Sequence, residues 1–357
     1  MQQQAGITSI KLLSEYIIPN SLIYDNTTVG GLSGIDYDVK RNCYYLISDD
    51  RSSINPARFY TANIFISKNK IDSVRFIGIN NMLQPNDDLY PNSKKDPYNT
   101  PDPEAIRYNP INEKLVWGSE GERIIREKNS VLADPAIRVI GMDGRFSDSF
   151  PIPPNLHMQI KEAGPRQNSV FEGISFADNY KTLFVSVEEP LYEDGPRADL
   201  TDNNAYIRIL KFDASTKENT GQYAYKLAPV ALQAEPETGY KINGISDILS
   251  IGKNKLLVVE RSYSVGHLAS NIKVYIADLS TATDIKENTS LIKNRNFKAV
   301  DKKLLLNMDD LGIYTDNLEG VTFGPILPNG HKTLLFVSDN NFNPLEKTQF
   351  LLFEITE

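Results

Sequence analysis

Three carboxylates open three near-identical phrases in the chain. Glu104 lies in "PEAIRY" (103–108), Glu172 in "FEGISF" (171–176) and Glu319 in "LEGVTF" (318–323). A second set of acids closes a later apolar run each time. Asp49 and Asp50 end "YYLISDDR" (44–51), and Glu120 and Glu122 sit near the end of "KLVWGSEGER" (114–123). Glu188 and Glu189 close "LFVSVEEP" (183–190), Glu260 lies in "LLVVERSY" (256–263) and Asp339 in "LLFVSDNN" (334–341). Arg51, Arg123 and Arg261 follow three of these acids. Oxygen ligands in such number suit a hard cation, calcium first and magnesium second. Arginine forks suit a phosphate. Cation, activated water and guanidinium together are what metal-assisted phosphoester hydrolysis needs. On this reading Asp49, Asp50, Glu104, Glu120, Glu188, Glu260 and Asp339 are the metal ligands. Glu172 and Glu319, with Arg51, Arg123 and Arg261, act on the substrate.

Other chemistries find less support. A serine hydrolase wants a strained elbow such as G-x-S-x-G and a base beside it. The chain has no such motif, and His157, His267 and His331 lie outside every repeated phrase and share no ligand spacing. "GSEGER" (118–123) lacks the Lys-Ser/Thr of a phosphate loop. A carboxylate-pair glycosidase remains open, with Glu172 and Glu319 as the pair and Tyr192 and Tyr263 as the stacking rings. So does a non-catalytic binding scaffold with a structural metal, because polar residues at strand ends also serve turns.

The elements that must position these groups form a repeat. Five segments begin alike: "LSGIDY" (32–37), "PEAIRY", "FEGISF", "INGISD" (242–247) and "LEGVTF". Their small residues, Gly34, Ala105, Gly173, Gly244 and Gly320, are 71, 68, 71 and 76 residues apart. From each small residue to the first following acid the gap is 15, 15, 15, 16 and 19 residues. A third apolar run follows in every unit and a fourth in four of them. The fifth unit runs out of chain, and the spare strand "ITSIKLLSEYIIP" (7–19) precedes the first. Radial repetition of four-stranded units, closed by a borrowed strand, is the signature of a β-propeller.

We therefore expect an all-β, five-bladed β-propeller of four-stranded antiparallel blades, with the N-terminal strand closing the last blade. It is one domain over 1–357. The blades run about 31–80, 103–153, 171–230, 242–308 and 318–357, the last completed by 7–19. Residues 80–102 are too polar and Pro-rich for a hidden blade and read as a face loop. In a propeller the first strand of a blade lies nearest the axis, and the second ends where the first begins. All the acids should thus crown one mouth of the channel. Along the first strand of the third unit, Glu172, Ile174 and Phe176 share parity and hence one face.

Bulk properties set limits. The net charge is −8, which argues against a nucleic-acid partner. The single Cys43 excludes an internal disulfide and a cysteine zinc site, and "NCYYLIS" reads it as a buried filler. No run reaches the ~20 apolar residues of a membrane helix. The polar opening "MQQQAGITS" looks like a mature N-terminus, as expected if a secretory signal has been removed. We expect a monomer acting on a small molecule.

Ten blocks in order resemble one family, the bacterial "esterase-like activity of phytase" proteins. They include "GGLSGIDYD" (30–38), "PDPEAIRY" (101–108), "NSVFEGISF" (168–176), "VEEPLYEDG" (187–195), "DNLEGVTFGP" (316–325) and "LLFVSDNNFNP" (334–344). The resemblance covers about residues 30–353. Two positions depart from the family pattern: Ala105 stands where Gly is usual, and Glu189 where Ser is. The resemblance implies hydrolysis of phosphate esters such as phytate, by a secreted or periplasmic protein.

Overall fold

The repeated apolar runs fold as strands that bury both faces. "FEGISFA" (Phe171–Ala177) is buried at every position, as is "CYYLIS" (Cys43–Ser48). A strand covered on both sides reads as continuous apolar sequence, which is why alternation is weak here. In the computed structural model, which describes residues 6–357, the described residues form five four-stranded antiparallel sheets. Blade one comprises Leu32–Asp38, Cys43–Ser48, Arg58–Ser67 and Lys70–Asn81. Blade two comprises Pro103–Asn109, Lys114–Ser119, Ala136–Gly141 and Phe146–Phe150. Blade three comprises Phe171–Ala177, Thr182–Val187, Tyr206–Asp213 and Asn219–Lys226. Blade four comprises Lys241–Gly252, Lys255–Ser264, Asn271–Asp278 and Asp301–Asn307. Blade five takes Asn317–Phe323, Thr333–Asp339 and Thr348–Thr356 from the C-terminus and Ser9–Ile18 from the N-terminus.

The first strand of each blade touches the first strand of both neighbouring blades, so five inner strands close a ring. The fold is a five-bladed β-propeller. Closure is by antiparallel strand pairing of the two termini: Ser9 pairs with Thr356 and Ile18 with Thr348, with a bulge between Leu12 and Ser14. This pairing removes the open edge that Thr348–Thr356 would otherwise present. The opening five residues of the sequence lie outside the described residues. Asn80 and Asn81 still belong to the fourth strand of blade one, and residues 82–102 hold only the Leu83–Leu89 bridge, as expected of a loop. Among the described residues two short ribbons lie outside the five blades, and Ile23–Tyr24 with Thr27–Thr28 form the first. Glu122–Ile124 and Val131–Ala133 pair as the second, in the connection between the second and third strands of blade two.

An apolar cluster lies at each blade junction. Between blades one and two, for example, Ile47 and Phe59 meet Ile106 and the lone Trp117. Between five and one, Phe350 and Leu352 meet Ile35 and Leu46. The small residue of the repeat follows from the tightness of the inner ring. A Cβ on Gly173 would lie 2.8 Å from the Ile248 amide nitrogen of blade four, and one on Gly320 would lie 3.1 Å from that of Ile35 in blade one. Ala105, fully buried, shows that the blade-two junction has room for one methyl.

Midway along the axis, Arg107 of blade two spans the ring. Its guanidinium donates to both Asp247 oxygens (2.9 and 2.8 Å) and to the carbonyls of Ile35 (2.8 Å), Ile248 (3.1 Å) and Val321 (3.2 Å). Asp247 in turn accepts from the Val321 amide at 2.8 Å. Four inner strands are thus tied at one point. Among the described residues no helix is long and apolar enough to cross a membrane.

Two substitutions test the ring. Gly173→Ala is expected to lower the urea unfolding free energy by about 1–3 kcal/mol through overpacking. Ala105→Gly, at the equivalent place, is expected to cost no more than about 1 kcal/mol. Equal costs would contradict the assignment of the small residue to inter-strand crowding.

Candidate functional site

The repeated acids are aimed by bulges. The pairing of first and second strands slips between Leu32 and Gly34, between Pro103 and Ile106, between Phe171 and Gly173, and between Leu318 and Gly320. Ser33, Glu104, Glu172 and Glu319 all fall within those slips. A bulge takes a residue out of strand alternation and re-aims its side chain. This corrects the parity expectation: Ile174 and Phe176 pack in the core between blades two and three, while Glu172 turns into the channel mouth. In blade four the slip comes later, between Ile245 and Asp247, and Asn243 supplies no acid.

The mouth is a cavity of about 260 Å³. From the expected set, Asp49, Glu104, Glu172, Glu319 and Asp339 line it, together with Arg51 and Arg261. Glu120 and Glu188 lie against it, both fully buried. Single oxygens of Asp102, Glu104 and Glu120 lie within 4.8 Å of one another, as do oxygens of Glu120, Glu172 and Glu188.

Three expected members sit elsewhere, each because a local partner already satisfies it. Asp50 pairs with the buried Arg58 at 2.8 Å and accepts the amides of Ser53, Ile54 and Asn55, so it shapes a turn. Glu260 accepts from Tyr225 Oη (2.7 Å), the Ala228 amide (2.9 Å) and Asn243 Nδ2 (2.8 Å), and pairs with Lys302. It stands between blades three and four, off the mouth. Arg123 holds a loop through the carbonyls of Gln159 (3.0 Å), Ile160 (3.1 Å) and Lys161 (3.3 Å). Tyr192 is covered by Arg123 and Arg166, whose guanidinium carbons lie 5.2 and 4.2 Å from the ring centre, so it is not a free stacking platform.

The structure adds residues the repeat did not single out. Asp102, Asn168, Asn317 and Asn341 also line the mouth. Asp102 precedes Glu104 by two positions and Asn317 precedes Glu319 by two, so entry to each first strand carried a signal. Asn168 and Asn341 come from loops with no comparable phase.

Charge at the mouth is unbalanced. Asp102, Glu104, Glu120, Glu122, Glu172, Glu188, Glu319 and Asp339 are buried, and Asp49 is half-buried. Against these nine stand Arg51 and Arg261. Arg51 pairs with Glu122 (2.8 Å) and Asp102 (3.5 Å). Arg261 pairs with Glu188 (3.0 Å) and Glu319 (3.1 Å) and donates to Asn317 Oδ1 at 2.5 Å. Burial first, and neighbouring acids second, push Asp49, Glu104, Glu120, Glu172 and Asp339 well above the usual carboxylate range. Burial lifts Asp102 to about 7 and Glu188 to about 8 against the pull of Arg51 and Arg261. Burial also raises Glu319, which Arg261 and Asn317 hold back.

Some of these groups are left without partners. Glu120 Oε2 and Asp49 Oδ1 are buried acceptors with no hydrogen bond, and Arg51 Nε and Nη2 are buried donors with none. Buried polar atoms in native proteins are nearly always satisfied. Other orphans lie elsewhere, at Tyr44, Arg107 and Trp117, and those of Glu120, Asp49 and Arg51 are set apart by gathering at one charged cavity. Carboxylates alone, in this number, fit a hard divalent cation.

The family model described as "Phytase-like: Esterase-like activity of phytase" matches residues 27–342, which include every residue of this mouth. The chain belongs to that phytase-like family. No curated protein matches it. Solved structures with a similar fold include a GH43 β-1,3-galactosidase, 10% identical, covering 94% of this chain and 93% of its own, with a TM-score of 0.47. An endo-1,4-β-xylanase from Bacteroides thetaiotaomicron is 11% identical, covers 90% of each chain and has a TM-score of 0.44. The periplasmic gluconolactonase of Pseudomonas aeruginosa is 10% identical, covers 92% and 87%, and has a TM-score of 0.36. Identities this low and overlaps this loose say nothing about the chemistry of this family member.

A carboxyl whose pKa is raised on folding holds an extra proton in the folded state, so its stabilising effect is full below the unfolded pKa and lost as pH rises through the folded one. For Asp102 the window runs from 3.8 to about 7, and for Glu188 from 4.5 to about 8. Chelator-treated protein should therefore melt at a higher temperature near about pH 5 than near about pH 8. Calcium added at the higher pH should recover the loss. A melting temperature that climbs over this interval without cation contradicts the charge account.

Proposed function

We propose that the acidic mouth binds calcium, or magnesium, and hydrolyses phosphate monoesters of the phytate type. The observation that carries this reading is Arg51, whose buried Nε and Nη2 have no hydrogen-bond partner and which lines the same cavity as Asp49, whose Oδ1 has none either. Free cation-binding oxygens and free anion-binding donors in one cavity fit a ligand that is an anion held with a cation. A phosphate ester is such a ligand, and family membership supports the same class.

Asp49, Asp102, Glu104, Glu120, Glu172, Glu188 and Asp339 are the groups that would hold the cation. When bound it supplies positive charge to the phosphoryl oxygens and lowers the pKa of a water. The remaining work falls to the chain's own residues. Arg51 Nε and Nη2 hold phosphoryl oxygens as a fork. Arg261 keeps Glu319 oriented, with Asn317 fixing the same carboxyl at 2.8 Å. Glu319, held by Arg261 and Asn317 and outside both oxygen triplets, is suited to take a proton from the attacking water. Glu172, which faces Glu120 and Glu188, moves from the reacting pair to the holding set. The resemblance also supports work outside the cytoplasm, secreted or periplasmic, and we propose that the chain acts as a monomer.

Phosphate release from phytate and from an aryl phosphate, with millimolar calcium and then with chelator, tests this. Release should need the cation. Arg51→Ala should lower kcat/KM by about 100-fold. Turnover that resists chelation would sink the proposal.

A further inference from the structure

We infer that the mouth holds two divalent cations bridged by the carboxylate of Glu120, an inference that rests on the cation-binding reading above. The two oxygen triplets at the mouth are distinct in their other members. Asp102 and Glu104 enter from the first strand of blade two, Glu172 and Glu188 from the first two strands of blade three, and only Glu120 belongs to both. It sits at the end of the second strand of blade two, between the two blade entrances.

Glu120 carries the second, independent mark of a ligand. It is completely buried, its Oε1 accepts the Val170 amide at 2.5 Å, and its Oε2 has no partner. An ionised carboxylate offers about four acceptor sites. One is used by Val170, and the rest face neighbouring carboxyls, which can donate only while they keep a proton and leave room for a cation once they lose it. A single cation in either triplet would leave the other triplet as a knot of bare negative charge.

Charge points the same way. Five carboxylates make up the two triplets. Arg51 and Arg261 reach one of them each, Asp102 at 3.5 Å and Glu188 at 3.0 Å. Arg51 and Arg261 also pair with Glu122 and Glu319, so their charge is already shared. One divalent cation offsets less than half of the charge on the five carboxylates, and two offset nearly all of it. The arrangement then suits an ester whose oxygens span both cations, a general use of paired metal sites.

The test is cation stoichiometry in the whole chain, by titration calorimetry with calcium and by electron paramagnetic resonance with manganese as the probe. Wild type should take two ions per chain, and the manganese spectrum should show exchange coupling. Glu104→Gln and Glu188→Gln should each leave one ion and abolish the coupling. Glu120→Gln should weaken both ions at least tenfold, with far-UV circular dichroism confirming the fold. A single ion in wild type, or two uncoupled ions unaffected by Glu120→Gln, overturns the bridge but leaves the mouth as a cation site. No binding of either metal overturns both the bridge and the reading beneath it.

Discussion

Like charges held out of water around a single axis are the constraint on which this structure turns. Five inner strands must start close together for the ring to close, and three of them start with a glutamate. The second strands end at the same place and bring more acids. Nine carboxyls meet two guanidiniums, and desolvation makes each uncompensated charge expensive. Such a mouth holds together by keeping protons or by taking cations. Either state is possible for a ring that is already locked by apolar junctions and by the pairing of its two termini.

The same axis shows the opposite solution a few residues below. Arg107 and Asp247 face one another with two hydrogen bonds, and carbonyls of two further strands take other donors of the guanidinium, although Arg107 Nε has no partner. That pair is matched in charge and reads as a structural tie. The contrast within one shared fold is one of charge balance. A matched ion pair holds the ring. The cluster above it has far more carboxyls than guanidiniums, and that excess suits a cation.

Much of the architecture was legible in the chain. The phase of the small residue, the steady distance to the next acids and the spare N-terminal run gave blade number and closure, because a propeller imposes one spacing on every unit. The cavity itself was legible in outline, since strand ends fix which acids meet. What failed has a common physical cause. Alternation cannot anticipate a bulge, so the facing of Glu172 was misjudged. Composition cannot anticipate a local partner, so Asp50, Glu260 and Arg123 looked free although Arg58, Tyr225 with Lys302, and three loop carbonyls claim them. Asn168 and Asn341 arrive on loops whose path no repeat fixes.

The central claim is that this mouth is completed by cations. Anomalous scattering from crystals grown with manganese tests it most directly. The account predicts anomalous peaks among Glu104, Glu120, Glu172 and Glu188, with Glu120 Oε2 in contact. Crystals that diffract well, contain manganese in solution and show no peak at the mouth would contradict it.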